Sequence, residues 1–264
     1  MNIVFLGSTD FGFRCLKLLS NMNDCNIKGV ISSSEKFSIS YSKTKVKNIK
    51  HTNFSSFCKE RNIDHLVVDN GMKDENLFNT VQKWNPSLFV VVGWYYLIPK
   101  RWIELAPAYA MHASLLPDYS GGAPLVWAMI NGESKTGITL FQMDSGVDSG
   151  PIIGQLEEKI KDNDTIATLY KRIEEKGLIL LKEYIPKIIK GNIIPKNQDE
   201  SKRKIYKQRS PEDGEINWNW DTKKINNFIR AQTKPYPGAF TIINGKKIII
   251  WDANIEDVND KKPL

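Results

Sequence analysis

The sequence predicts an α/β fold with a mostly parallel central sheet, followed by a small C-terminal subdomain that contains a helix and a β-hairpin. Two observations support this prediction. Short apolar runs alternate with helix-like stretches through the N-terminal part of the chain, which is the pattern of a parallel sheet wound with helices. Near the C-terminus, two strand-like runs are joined by Asn244-Gly245, a strong signal for a hairpin turn.

The chain begins with an apolar strand that runs into Gly7 and then into a helix from Asp10, which Thr9 or Asp10 can cap. Apolar runs predict further strands at 27–31, 65–68 and 88–92, and helices are predicted at 48–61 and 73–84. The apolar stretch 88–98 is too short to span a membrane, which requires about 20 residues, and Gly93 interrupts it. It is therefore predicted to be a buried strand that enters a loop.

A long helix is predicted from a cap at Asp164 or Thr165 to Lys190, because apolar residues recur along it at helical spacing. The polar, charged stretch 197–209 is interpreted as a connector. We therefore predict a larger N-terminal domain over residues 1–196 and a small C-terminal subdomain over residues 197–264.

Composition limits the function classes. The chain has 264 residues, of which 41% are hydrophobic, enough for one substantial core and a small appendage. Its three cysteines and three histidines lack the spacing of a metal cluster, so no metal is expected. No signal peptide or membrane span is evident, which favours the cytoplasm. The net charge of +7 suits nucleic acid, but the lysines are scattered, and a substrate with a diphosphate suits a basic protein equally well.

The residues best suited to catalysis lie in the segment 109–155. His112 stands between a strand-like run and the loop LLPDYSGGAP, while Asp144 and Asp148 each open an Asp-x-Gly turn. A lone histidine near a strand end is more often structural, but the loop and the acidic turns make the combination more specific. Histidine, with an ordinary pKa of about 6.5, suits proton transfer, and a carboxylate can orient and stabilise the charged imidazole. We therefore predict that His112 is a base and Asp148 its partner.

This segment resembles the core of the 10-formyltetrahydrofolate-dependent formyltransferases. That family has an Asn two residues before the His, then SLLP, a glycine-rich loop and an Asp in a D-x-G turn. His112, Ser114 and Asp148 match this pattern, whereas Ala110 occupies the Asn position. The resemblance implies a Rossmann-like domain, 10-formyltetrahydrofolate as co-substrate, no metal, and an Asn amide that stabilises the oxyanion. Removing such a donor elsewhere lowers the rate by about 10²–10³-fold.

Ala110 has two explanations, and both are open. Either the chain is a natural variant that uses another donor or a water, or it is a disabled form of an enzyme whose native residue is Asn. The second is favoured, because everything around Ala110 still matches the pattern for the reaction.

The C-terminal sequence motifs RSPEDGEINW and IRAQTKPYPGAF resemble those of formyltransferases that act on nucleotide-linked amino sugars. We therefore expect a sugar N-formyltransferase whose acceptor is a dTDP-linked amino-dideoxyhexose, with dTDP-4-amino-4,6-dideoxyglucose preferred, for surface polysaccharides such as O-antigen. Methionyl-tRNA formyltransferase is one alternative, disfavoured because the sequence has too few strands for a full C-terminal domain. A protein that binds folate or a nucleotide sugar without turnover is the other. Nucleic acid is not expected as a partner, and the resemblance suggests a homodimer.

The remaining predictions concern binding residues. In the family, the loop after the 88–92 strand lines the folate pocket, and the cofactor candidates are Trp94, Tyr95, Tyr96, Leu97, Asp144 and Asp148. Ligands of α/β domains bind beyond the carboxyl ends of strands. On that basis and on the family pattern, the substrate candidates are Thr9, Tyr41, Lys43, Lys45, Lys47, Ser114, Gly121, Gly122, Arg209, Arg230 and Tyr236.

Overall fold

A computed structural model describes residues 1–38, 45–69 and 71–256. The strands in these ranges are β1 (Asn2–Leu6), β2 (Asn26–Ser33), β3 (Lys36–Phe37), β4 (Val46–Lys47), β5 (Asp64–Val68), β6 (Leu88–Val91), β7 (Ala108–His112), β8 (Ser120–Gly121), β9 (Lys135–Gln142), β10 (Ile152–Lys159), β11 (Ile205–Tyr206), β12 (Ala239–Ile243) and β13 (Lys246–Ile250). The α-helices are α1 (Asp10–Ser20), α2 (Ser55–Glu60), α3 (Glu75–Lys83), α4 (Lys100–Leu105), α5 (Pro124–Ile130), α6 (Ile166–Ile189) and α7 (Thr222–Gln232). Short 3-10 helices cover Glu200–Lys202 and Pro211–Gly214.

A seven-stranded sheet with the order β10-β9-β7-β6-β1-β2-β5 forms the centre of the fold. The pairs from β7 through β6, β1 and β2 to β5 are parallel, and β9 and β10 add an antiparallel edge. The C-terminal part contains α7 and the β12-β13 hairpin. The predicted α/β class, with a mostly parallel sheet and a small helix-and-hairpin unit, is confirmed.

Local sequence signals account for several element ends. The Thr9 hydroxyl accepts a hydrogen bond from the Gly12 amide at 3.1 Å and caps α1. Thr165 caps α6 through a capping box with Thr168. Asn244 and Gly245 have φ angles of 51° and 72°, the left-handed values that a tight two-residue hairpin turn requires.

The predicted helix 48–61 is wrong over its first half, since only α2 forms there. The preceding residues are held by tertiary contacts instead. Val46 pairs with Phe37, and the buried Asn48 amide donates to the Ser8 carbonyl at 3.0 Å. These contacts fix a turn beside the end of β1, and tertiary contacts of this kind override helix propensity.

The predicted connector 197–209 also contains ordered contacts. Ile205 and Tyr206 of β11 pair in parallel with Ser120 and Gly121 of β8, so this stretch lies against the loop that follows His112. The division of the chain at residues 196 and 197 stays a prediction.

Apolar side chains pack on both faces of the sheet, because successive strand residues point to opposite sides. Ile3 and Phe5 of β1 join one core cluster with α1, α5, α6 and α7, and Val4 and Leu6 join the other. That second cluster also contains Ala110. Across the ranges that the structure describes, no helix is long and apolar enough to cross a lipid bilayer.

Asp164 is a buried carboxylate just before α6, with 4% of its side chain exposed. Arg172 donates to both of its oxygens at 2.8 and 2.6 Å, and the Lys161 amide and the Thr168 hydroxyl donate at 2.7 and 2.8 Å. Burial raises the pKa of Asp164, but these hydrogen bonds and the charge of Arg172 outweigh burial and lower the pKa to about 2.

Replacing Asp164 by asparagine is expected to lower the free energy of unfolding by about 2 kcal/mol at neutral pH. The folded pKa lies below the unfolded value of about 3.9, so the carboxylate stabilises the fold fully above about pH 5 and loses this effect as the pH falls to 2. Urea unfolding of parent and variant at pH 7 and pH 2 measures the difference, which shrinks at low pH. Asp162→Asn, an exposed change nearby, is the control. An equal loss at both pH values would contradict the linkage.

Candidate active site

Strand β7 places Ala110 and His112 on the same face of the sheet, since they are two residues apart. Ala110 is only 6% exposed, and its backbone lies between Val91 of β6 and Phe141 of β9. The family's Asn position is therefore a buried site on the same side of the sheet as His112, and a methyl group occupies it.

The His112 ring has a defined orientation. Its Nε2 lies 2.7 Å from the Tyr119 carbonyl oxygen, and a carbonyl can only accept, so Nε2 holds a hydrogen. Its Nδ1 lies 3.4 Å from Asp148 Oδ2. In the neutral ring Nδ1 therefore has no hydrogen and is the basic nitrogen. When it gains a proton, the imidazolium faces a carboxylate.

Asp148 is held from several sides. Its Oδ2 accepts a hydrogen bond from the Gly121 amide at 2.8 Å, and the Gln198 amide donates to the carbonyls of Asp148 and Gly150 at 2.7 Å each. Its φ of 50° is left-handed, a conformation that costs about 1–3 kcal/mol and persists where the surroundings enforce it. The Gly121 bond joins the turn containing Asp148 to the loop after His112.

The loop after His112 is fixed by buried polar contacts. Ser114 is fully buried, and its hydroxyl donates to the Asp118 carbonyl at 2.6 Å. Thr139 donates to the Ser114 carbonyl at 2.6 Å, and Gln155 donates to the Leu116 carbonyl at 2.8 Å. The Ser114 side chain thus shapes the loop.

The two glycines predicted to bind substrate allow a close backbone approach. A Cβ on Gly121 would lie 2.4 Å from the Tyr206 carbonyl, and one on Gly122 would lie 2.3 Å from Cα of Gln208. A side chain at Gly121 would therefore push β11 away from the loop, and one at Gly122 would push away the residues just after β11.

The predicted cofactor loop follows β6. Trp94 and Tyr96 pack against the core cluster that contains Ala110, and the Trp94 indole N–H is buried without a hydrogen-bond partner in the described part of the chain. The Tyr95 hydroxyl donates to Asn48 Oδ1 at 3.2 Å, and the Tyr96 hydroxyl donates to the Asp69 carbonyl at 2.8 Å. Leu97 is exposed.

Asp144 caps its own turn. Its Oδ1 accepts hydrogen bonds from the Gly146 amide at 2.9 Å and from the Ser149 hydroxyl at 2.5 Å. The first Asp-x-Gly turn therefore supports the second, which contains Asp148.

A cavity of about 900 Å³, here called the inner cavity, lies between the start of α5, the residues around β4 and the C-terminal part. Neither His112 nor Asp148 is among the described residues that line it. Four predicted residues line it together: Lys47, Tyr95, Arg209 and Tyr236. Ala123 also lines it, directly after Gly122.

Two of these cavity residues are tightly held. The Arg209 guanidinium donates to the Asp213 carbonyl at 2.5 Å and to Gln232 at 2.7 Å, and burial lowers its pKa. The Tyr236 and Tyr170 hydroxyls are 2.8 Å apart, and burial raises the pKa of Tyr236 to about 12.

The other predicted substrate residues lie in different settings. Thr9 is buried and caps α1, and Lys45 is exposed beside β4. Arg230 donates to the carbonyls of Lys161 and Asp164, each at 3.0 Å, and so braces the start of α6. Tyr41 and Lys43 lie outside the described residues.

Residues that no motif predicted also organise the site. Asn48 is buried and connects the Ser8 carbonyl, the Lys50 amide and the Tyr95 hydroxyl. Gln198 and Thr139 act in the same way on the Asp148 turn and on the His112 loop. Isolated Asn, Gln and Thr residues give no sequence signal for such contacts, which form between segments far apart in the chain.

Known proteins resemble the chain along most of its length. The family model described as "Formyl transferase" matches residues 1–185, and "Formyl transferase, C-terminal domain" matches residues 209–263. A methionyl-tRNA formyltransferase of Caldicellulosiruptor saccharolyticus is 33% identical over 263 residues, covering 98% of this chain and 82% of that protein.

Solved structures share the fold. The methionyl-tRNA formyltransferase from Clostridium thermocellum matches with a TM-score of 0.64 at 22% identity, covering 99% of this chain and 95% of its own. A sugar N-formyltransferase from a Shewanella species matches with a TM-score of 0.76 at 18% identity, covering 98% and 99%. At these identities the structural matches establish the fold alone.

The prediction of a sugar N-formyltransferase acting on a dTDP-linked amino sugar is wrong, because the relatives at 33% identity are methionyl-tRNA formyltransferases. The two C-terminal sequence motifs on which that prediction was based have structural roles. Ser210 and Asp213 form a capping box, and Arg209 and Gln232 are joined by a hydrogen bond. These motifs determine how the C-terminal part packs and do not specify an acceptor. The expectation that nucleic acid is not a partner also loses its support, because those relatives are named for a tRNA.

Two family models account for most of the sequence, and a relative at 33% identity matches it almost from end to end. The residues of the formyltransferase pattern lie together in the structure, with Nδ1 of His112 3.4 Å from Oδ2 of Asp148. The chain belongs to the formyl transferase family.

Proposed function

We propose that this protein transfers a formyl group from 10-formyltetrahydrofolate to the amine of methionyl-tRNA. The observation that supports the acceptor most directly is the 33% identity, over 98% of the chain, to a protein named methionyl-tRNA formyltransferase. The net charge of +7 is compatible with an RNA substrate, because lysine and arginine neutralise backbone phosphates.

The residues beside the site fit a folate. Trp94 and Tyr96 offer aromatic surface next to the cluster that contains Ala110, and the buried indole N–H of Trp94 lacks a hydrogen-bond partner within the described ranges. A flat heterocycle with hydrogen-bond acceptors suits such a surface, since a buried donor without a partner costs free energy. We therefore assign the loop 93–98 to folate binding.

In this scheme 10-formyltetrahydrofolate supplies the formyl carbon, and the amine nitrogen of the acceptor forms the new bond to it. Nδ1 of His112 takes the proton that the attacking amine loses, and Asp148, 3.4 Å away, stabilises the imidazolium. The hydrogen bond from Nε2 to the Tyr119 carbonyl keeps the ring in the orientation that presents Nδ1. The proton then returns to the leaving folate nitrogen as the old carbon–nitrogen bond breaks.

Ala110 leaves this scheme incomplete. Negative charge develops on the formyl oxygen, and an alanine methyl group has no hydrogen to donate to it. A second function follows from this observation: the chain binds folate and acceptor with slow or no turnover.

The test supplies 10-formyltetrahydrofolate and methionyl-tRNA to the parent protein and to Ala110→Asn, and follows N-formylmethionine after hydrolysis of the RNA ester. N-acetylmethionyl-tRNA, whose amine is blocked, is the matched control and should give no product. Formylation by either protein supports the proposed function. Absence of product from both, together with tight binding of folate and tRNA, would leave the binding function. Absence of binding as well would reject both.

A further inference from the structure

A second cavity of about 380 Å³, here called the outer pocket, adjoins the inner cavity. Three lysines line it: Lys50, Lys171 and Lys234. The two cavities share Lys50, Tyr170 and Pro235 as lining residues, so they lie next to each other.

The acidic residue of the outer pocket, Glu174, is already neutralised. Its carboxylate accepts from Lys50 Nζ at 2.8 Å and from Arg14 Nη1 at 3.4 Å, with 14% of its side chain exposed. Lys50 Nζ also lies 3.7 Å from the centroid of the Tyr170 ring. Lys50 and Glu174 therefore satisfy each other inside the pocket wall.

Lys171 and Lys234 are both exposed, and neither forms an ion pair with any residue in the described ranges. Ala167, Tyr170, Lys171 and Glu174 lie at helical spacing on α6 and face the pocket together, so the helix fixes the place of Lys171. Lys234 Nζ lies 5.4 Å from the centroid of the Trp251 ring. Two uncompensated ammonium groups are thus presented at one opening.

The inner cavity behind these lysines has aromatic walls formed by Phe37, Tyr95, Tyr170 and Tyr236. Lysines at the opening of an aromatic recess are the combination that binds single-stranded nucleic acid, because ammonium groups contact phosphates and rings stack on bases. We propose that Lys171 and Lys234 bind backbone phosphates of the single-stranded 3′ end of an aminoacylated RNA, next to the inner cavity. This inference rests on the proposed function and identifies the surface that the RNA end crosses.

The experiment measures binding, so it does not depend on turnover. The probe is a fluorescein-labelled acceptor-stem minihelix with a single-stranded ACCA end esterified to methionine, titrated with the parent protein at several salt concentrations. Each phosphate contact to a single strand contributes about 0.7 to the slope of log affinity against log salt. The double variant Lys171→Ala/Lys234→Ala should therefore lower that slope by about 1.4 and weaken binding about 25-fold at 0.1 M salt.

The matched control is Lys182→Ala/Lys223→Ala, which removes two exposed lysines from α6 and α7 away from both cavities. It should leave the slope nearly unchanged, and Lys171→Arg/Lys234→Arg should restore binding. Equal losses in the test and control variants would overturn the inference while leaving the proposed function standing. A loss of affinity confined to 10-formyltetrahydrofolate, titrated directly with the double variant, would also overturn it and would assign the lysines to the glutamate carboxylates of folate. If the parent chain does not bind the minihelix, the proposed function itself fails.

Discussion

Replacing Ala110 by asparagine is expected to raise the rate of formyl transfer to methionyl-tRNA by about 10²–10³-fold. The reason is electrostatic. A preorganised amide that donates to the developing oxyanion stabilises the transition state more than the ground state, and loss of one such donor costs this factor in other enzymes. Position 110 is buried and lies on the same face of β7 as His112, so an amide there would be shielded from water.

The kinetics of Ala110→Asn distinguish this role from a packing effect. A donor that acts in the transition state raises kcat and kcat/KM together, whereas an improvement in uniform binding lowers KM alone. Ala110→Leu, which enlarges the side chain without a donor, is the control and should give no gain. His112→Ala in the Ala110→Asn background should remove most of the gain. Equal rates for the parent and Ala110→Asn would move the oxyanion role to another group.

The mostly parallel sheet and the starts of α1 and α6 could be predicted, because they depend on local signals. Hydrophobic period, N-caps and the Asn244-Gly245 turn are all encoded within a few residues. The late start of α2 could not be predicted from the helix-like pattern 48–61. Asn48 forms hydrogen bonds with Ser8 and Tyr95, each of which lies more than 35 residues away in the sequence. Long-range hydrogen bonds of this kind leave no period in the sequence.

The candidate site divides in the same way. The proximity of His112 and Asp148 could be predicted because a known pattern contains both, and Nδ1 of His112 lies 3.4 Å from Oδ2 of Asp148. Their catalytic roles stay a prediction. Gln198, which holds the Asp148 turn at 2.7 Å, comes from a stretch interpreted as a plain connector. The acceptor was wrongly predicted because the two C-terminal sequence motifs reflect packing around Arg209 and Gln232, and packing residues do not determine which substrate binds.

Asp148→Asn in the Ala110→Asn background is expected to lower kcat by about 10²–10⁴-fold, the range in which positioned proton-transfer groups contribute. Asparagine has the same shape as aspartate and tolerates the left-handed φ of 50° at this position. Its side-chain oxygen can still accept from the Gly121 amide, which now lies 2.8 Å from Oδ2. The substitution therefore removes the negative charge that faces His112 Nδ1 and leaves the turn in place.

Single-turnover rates of formyl transfer, measured beside thermal unfolding, separate the loss of charge from the loss of fold. Asp118→Asn removes the same charge from an exposed position in the loop after His112 and should change the rate little. If Asp148→Asn unfolds at the parent temperature and transfers the formyl group slowly, the carboxylate acts on the charged imidazole. If the variant keeps the full rate, the protonated ring of His112 does not need the Asp148 charge. The acceptor or the solvent would then have to stabilise the imidazolium.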